Sequence, residues 1–155
     1  MMTLAFELNG RQVELDCAPE LRLLALLREH FLLVGAKPGC EVGRCGACMV
    51  WLDGEPVPAC LVMAWQLPGR RVTTIESVAL DPASAPVRQA LADAGAVQCG
   101  YCNGGMVMTL TYLHGCASTR RHPVAVPEVP MHLDALLADE PLTGGLAPML
   151  GSNHL

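Results

Sequence analysis

The chain has 155 residues, enough for one ordinary domain or two small ones. Apolar residues make up 52% and charged residues 16%, so a packed core can form and a disordered chain is not expected. A net charge of −5, with no stripe of Lys and Arg, argues against nucleic-acid binding.

The amino-terminal segment TLAFELNGRQVELD alternates with period two around Asn9-Gly10, which predicts a β-hairpin with a type I′ turn. LRLLALLREHFLL carries apolar residues at helical spacing and is followed by Gly35, so a helix is expected there. Next comes a cysteine- and glycine-rich loop. MVWLDGEPVPAC then predicts a second hairpin around Asp53-Gly54, and the β-branched RVTTIESV predicts a further strand. DPASAPVRQ breaks the pattern as a linker entering a helix near residue 86. VRQALADAG, GMVMTLTYLHG and VPMHLDALLAD are helical runs, and HPVAVPEVP is an extended connection between two of them. The expected class is α+β, with a β-rich domain at 1–80 and a helical domain at 81–155.

Two segments are apolar enough to test as membrane spans. Arg28, Glu29 and His30 interrupt the first, and Gln98, Asn103, two Thr and several Gly make the run 97–115 too polar, so no span is expected. MMTLAFELNG lacks the features of a secretory signal, which points to a reducing, cytoplasmic setting. Arg70-Arg71 and Arg120-Arg121 read as solvated faces.

Of the 8 cysteines, Cys40, Cys45, Cys48 and Cys60 follow the spacing C-x4-C-x2-C-x11-C. A [2Fe–2S] rhomb needs four thiolates, two per iron, and plant-type ferredoxins wrap three of them in this local spacing. Gly39, Gly43 and Gly46 supply the left-handed turns and close backbone approach such a loop requires. A structural zinc site is the alternative. It prefers paired C-x2-C knuckles, and only Cys45 and Cys48 form one. Cys17 and Cys116 stand apart and read as small buried apolar residues.

GAKPGCEVGRCGACMVWLDGEPVPACL, with RRVTTIES and the later AVQCGYCNGGMVM, resembles the iron–sulfur subunit of the molybdenum hydroxylases, the xanthine oxidase, aldehyde oxidoreductase and carbon monoxide dehydrogenase family. The resemblance implies a β-grasp [2Fe–2S] ferredoxin-like domain followed by a small four-helix bundle. It makes Cys40, Cys45, Cys48 and Cys60 ligands of the first cluster. It also implies a second [2Fe–2S] cluster in the bundle, with two ligands from Cys99 and Cys102 and two from a later C-R-C. Here the C-R-C positions read Pro141, Leu142 and Thr143, so that ligand set is incomplete. Cys116, His114 and His122 lie too far along the chain from the pair to substitute, and His132 would require a rearranged bundle. Where the family has TPG, residues 103–105 read NGG.

By the same resemblance, the Gln98 amide would contact the pterin of a molybdenum cofactor; the plain alternative is a polar residue facing solvent. The chain has no dinucleotide fingerprint, no nucleophile elbow and no catalytic residues of its own. The expected function is an electron-transfer subunit of an oxidoreductase complex. Its expected partners are a large molybdopterin-binding subunit, together with one that carries FAD or a cytochrome haem. Export bound to such a partner is an alternative to the cytoplasm. The competing readings are a free ferredoxin-like carrier and a structural or assembly subunit with a degenerate helical half.

Overall fold

The computed structural model describes residues 1–119; the expected elements HPVAVPEVP and VPMHLDALLAD, and positions 141–143, lie outside the described residues. Within 1–119 the chain forms β1 (Met2–Leu8), β2 (Arg11–Cys17), α1 (Leu23–Ala25, continuing as a π-turn over Leu26–His30), β3 (Met49–Leu52), β4 (Glu55–Pro58), β5 (Arg71–Thr73), α2 (Ile75–Val78), α3 (Ala85–Asp93) and α4 (Asn103–Thr119). The sheet order is β2-β1-β5-β3-β4, with β1 and β5 parallel and all other pairs antiparallel. This mixed sheet, with α1 packed on one face, is the β-grasp arrangement the sequence led us to expect.

Both hairpins form where the turn chemistry placed them. Asn9 and Gly10 have φ of 51° and 79°, and Asp53 and Gly54 have 54° and 90°, which are the left-handed pairs a type I′ turn needs. Pro56 and Pro58 fall in β4, an edge strand, where a missing amide costs no ladder bond. The helix expected over LRLLALLREHFLL is shorter than its apolar pattern. It stops at His30, and Leu32 takes a φ of 55°. Phe31 instead leaves the helix and packs edge-on against Phe6, ring centroids 6.0 Å apart. RVTTIESV divides into strand β5 and the helical turn α2, because Thr74 is claimed by side-chain bonds described below. The break at DPASAPVRQ is a single 3₁₀ turn, Pro82–Ser84, running straight into α3.

Strand β3 organises the packing through its alternation. Val50 and Leu52 point into the main core with Leu4, Phe6, Leu8, Leu23, Leu26, Leu27, Leu67 and Val72. Met49 and Trp51 point the other way, against a smaller core of Val78, Val107 and Met108. The Trp51 indole N–H donates to the Met108 carbonyl at 3.1 Å, and the Tyr112 hydroxyl meets Glu55 at 2.5 Å, so α4 is fastened to the β3–β4 hairpin. Cys17 is buried in the main core as expected. Cys116 is only half-buried and hydrogen-bonds the Tyr112 side chain, which corrects its reading as a core residue.

A polar knot joins three distant segments. The Thr74 amide donates to Asn9 Oδ1 at 2.8 Å, and Asn9 Nδ2 donates to the Thr74 hydroxyl oxygen at 3.0 Å. The Thr74 hydroxyl donates to Glu76 Oε2 at 2.6 Å, while the Gly35 amide donates to Glu76 Oε1 at 2.8 Å. Thr74 is fully buried, and the other Glu76 oxygen ties down the chain just before the cysteine loop. Burial alone would raise the Glu76 carboxyl, but its hydrogen bonds from Thr74 and Gly35 outweigh burial and hold it below its ordinary value.

A folded-state pKa below the unfolded value adds stability that is full above the unfolded pKa and is lost as pH falls through the folded one. Urea unfolding should therefore show wild-type stability dropping between about pH 5 and pH 3. Glu76→Gln should be less stable by about 1 kcal/mol at neutral pH, because the carboxylate is partly solvated, and should lose that acid slope. Equal slopes in the two proteins would contradict this role.

Candidate metal centre

The loop 36–48 enters from Ala36, buried in the main core, and ends at Cys48, which leads into β3. Between them the backbone turns left-handed three times, at Glu41 (φ 54°), Gly43 (75°) and Gly46 (72°). A side chain is tolerated at Glu41 because Arg22 holds both its carbonyl, at 3.4 Å, and its carboxylate, at 3.3 Å. Gly43 has no such freedom. A Cβ there would collide with Leu61 Cδ1, and one at Gly39 would lie 2.8 Å from Cys45 Sγ.

These turns aim backbone amides at sulfur. The Arg44 and Cys45 amides donate to Cys40 Sγ at 3.2 and 3.3 Å, and the Cys40 amide donates to Cys45 Sγ at 3.4 Å. The amides of Val42 and Cys45 lead in lowering the Cys40 thiol to about 6. Cys48 and Cys60 form a second pair, hydrogen-bonded to each other and almost fully buried at 3% and 1% exposure. Burial is the main cause that pushes Cys48 up to about 11. The Cys48 carbonyl accepts the Ala59 amide at 3.0 Å, which brings the fourth cysteine, from the far end of the β3–β4 hairpin, beside the loop.

The donor chemistry suits a binuclear group. Two thiols lie at the open side, two at the buried side, and Cys45 is close enough to act electrostatically on Cys48. Among the described residues, no three His, Cys, Asp or Glu side chains converge on a point that one metal ion could occupy. A [2Fe–2S] rhomb takes two thiolates at each iron, and the two thiol pairs could supply them.

The Cys99 and Cys102 thiols are both exposed, just before α4, with Gly100 at φ 78° between them. Cys102 Sγ lies 3.9 Å from Met106 Sδ. Helix α4 is continuous from Asn103 to Thr119, which puts Cys116 about 20 Å along the axis from Cys102. Cys116 and His114 thus stay apart from the pair, as the spacing led us to expect. Gln98 is exposed, in the loop before α4 rather than in the helix. Cys102 and Cys45 line a common open cavity of about 250 Å³, with Gly46, Gly105 and Met106. Two contributors had no sequence signal of their own. Arg22, at the start of α1, braces Glu41 at the surface, and the Tyr101 hydroxyl donates to the Pro38 carbonyl at 2.6 Å.

The fold and the four-thiol loop define a [2Fe–2S]-binding protein of the β-grasp type. Residues 6–71 match the 2Fe-2S iron-sulfur cluster binding domain, and residues 74–128 match the [2Fe-2S] binding domain. The nicotinate dehydrogenase small FeS subunit of Eubacterium barkeri is 44% identical over 108 residues, covering 70% of this chain and 69% of its own. The xanthine dehydrogenase iron-sulfur-binding subunit of Escherichia coli O157:H7 is 38% identical over 128 residues, covering 83% and 79%. Among solved structures, quinoline 2-oxidoreductase from Pseudomonas putida 86 superposes with a TM-score of 0.65 at 32% identity, covering 72% of this chain and 69% of that one. The aldehyde oxidoreductase of Desulfovibrio desulfuricans superposes with 0.66 at 34% identity, over 73% of this chain and 13% of that one.

The chain belongs to the iron–sulfur subunits of the molybdenum hydroxylase family. Its place is that of an electron-transfer subunit of an oxidoreductase complex. Among the described residues no helix is long and apolar enough to cross a membrane.

The two loop environments should separate in the metal-free protein. At pH 7 a thiol lowered to about 6 is largely thiolate, whereas one at about 11 and buried is protonated. Brief alkylation with iodoacetamide, followed by peptide mass mapping, should label Cys40 well before Cys48. Equal labelling would show that the amides do not poise Cys40.

Proposed function

We propose that Cys40, Cys45, Cys48 and Cys60 hold a [2Fe–2S] cluster and that the chain relays single electrons from a molybdenum site on a large partner subunit to FAD, a cytochrome or another acceptor. The observation that carries this reading is the pairing of the four thiols on one loop-and-hairpin unit, with backbone amides directed at the outer pair. When bound, such a cluster accepts and returns one electron at a time, so it can divide a two-electron oxidation into single steps. The chain's own residues set the terms. Cys48 and Cys60 anchor one side in a dry core, and the exposed Cys45 leaves the other side near the surface. Amides aimed at Cys40 favour its thiolate and added negative charge there.

The division into a ferredoxin-like domain at 1–80 and a helical domain at 81–155 is supported by the two separate family matches, at 6–71 and 74–128. In the helical domain we propose Cys99 and Cys102 as half of a second ligand set. We also propose that Gln98, exposed beside them, offers its amide to a pterin on the large subunit. Relatives named as nicotinate and xanthine dehydrogenase subunits support a partner that oxidises a heteroaromatic substrate. A cytoplasmic location fits a chain whose eight cysteines would be kept as thiols.

The protein isolated anaerobically with its partner subunits tests this directly. The dithionite-reduced complex should show a rhombic EPR signal that Cys45→Ser abolishes or alters, with transfer to the acceptor falling in parallel. A Cys45→Ser complex with the full signal would overturn the ligand assignment. Iron and acid-labile sulfide per chain then report on the second site, with two of each marking one cluster and four marking two.

A further inference from the structure

The first turn of α4 lies directly on the cysteine loop, and it can do so only because residue 105 has no side chain. A Cβ on Gly105 would collide with the Gly46 carbonyl oxygen, and would sit 3.0 Å from the Gly46 carbonyl carbon and 3.2 Å from Ala47 Cα. Gly46 and Ala47 are the two residues between Cys45 and Cys48. The contact is with backbone, so no side-chain rotation can relieve it. The preceding glycine makes a looser contact of the same kind, since a Cβ on Gly104 would lie 3.0 Å from the Gly35 carbonyl oxygen. Tyr101 completes the row, with its hydroxyl on the Pro38 carbonyl at 2.6 Å.

Three carbonyls, at Gly35 just before the loop and at Pro38 and Gly46 within it, are therefore met by three residues within one stretch of five. The Gly46 carbonyl also accepts the Met49 amide at 3.2 Å, closing the turn that carries Cys45 and Cys48 into β3. Gly46 itself holds a φ of 72°. The same contact brings Cys102 to the cavity that Cys45 lines.

We propose that Gly105 is a positioning residue for the cluster. Its bare Cα lets α4 bear on the Gly46–Ala47 peptide, which fixes the Cys45–Cys48 turn and sets how closely the Cys99–Cys102 segment approaches Cys45. The inference rests on the cluster reading given above for Cys45 and Cys48. It makes α4 part of the first metal centre, independently of what the second site holds.

The test uses the full chain with its cluster. Gly105→Ala must lift the helix or turn the Gly46–Ala47 peptide, so the EPR g-values and visible circular dichroism should change. Iron should be lost to a chelator about 10-fold faster, the scale of supporting residues around metal sites. Gly115→Ala is the control, on the same helix, where an added Cβ meets nothing within 4 Å among the described residues; its spectrum and release rate should match wild type. Unchanged spectrum and release in Gly105→Ala would overturn the proposal. Where Gly105→Ala fails to fold by far-ultraviolet circular dichroism, Tyr101→Phe decides. Faster iron release in that milder variant supports the clamp, and an unchanged rate overturns it. A wild-type chain without iron or labile sulfide would instead mark failure of the cluster reading, before any variant is compared.

Discussion

Backbone amides pointing at cysteine sulfur are the interaction on which the rest of this molecule depends. A thiolate in a protein needs compensation for its charge, and this chain supplies it from the main chain rather than from Lys or Arg. Amides can converge on Cys40 only if the loop turns left-handed repeatedly over a few residues, which is why Glu41, Gly43 and Gly46 all have positive φ. A loop bent in that way cannot form regular ladders of its own. It must be held from outside, and the surrounding fold reads as the means of holding it.

That support comes from three directions. Arg22 braces the strained Glu41 from the α1 side. Glu76 captures the Gly35 amide and is itself fixed by Thr74 and Asn9, so the first hairpin, the last strand and the loop entrance share one buried polar knot. Helix α4 bears on the third side. Strand β3 makes the arrangement coherent, because its two faces serve two cores, one beneath the sheet and one beneath α4. A deformation of the helix is therefore felt at the cysteine turn through close-packed contacts.

The second thiol pair has a different character. Cys99 and Cys102 are exposed and precede an uninterrupted helix that carries Cys116 and His114 away from them. The family pattern would complete this site from positions 141 and 143, and this chain has Pro and Thr there. The chain thus belongs to its family by fold, while its sequence lacks the cysteines that the family resemblance would place at the second centre. What it keeps is the proximity of Cys102 to Cys45, which follows from the glycine contact whatever occupies the second site.

Local chemistry determined much of this from sequence. Asn9-Gly10 and Asp53-Gly54 specified their hairpins because few other residue pairs adopt two successive left-handed conformations cheaply. The cysteine spacing marked the loop because C-x4-C-x2-C is the local spacing with which plant-type ferredoxins wrap a [2Fe–2S] cluster. The apolar pattern over 21–33 overstated its helix, since periodicity registers which residues are apolar and not that Phe31 packs edge-on against Phe6. Which thiols pair, which side is dry, and why residue 105 must be glycine were decided by tertiary structure alone. The Cys48–Cys60 pair spans 12 positions and the Gly105–Gly46 contact 59, both set by how β3 presents its two faces, and no local pattern encodes a distance of that kind.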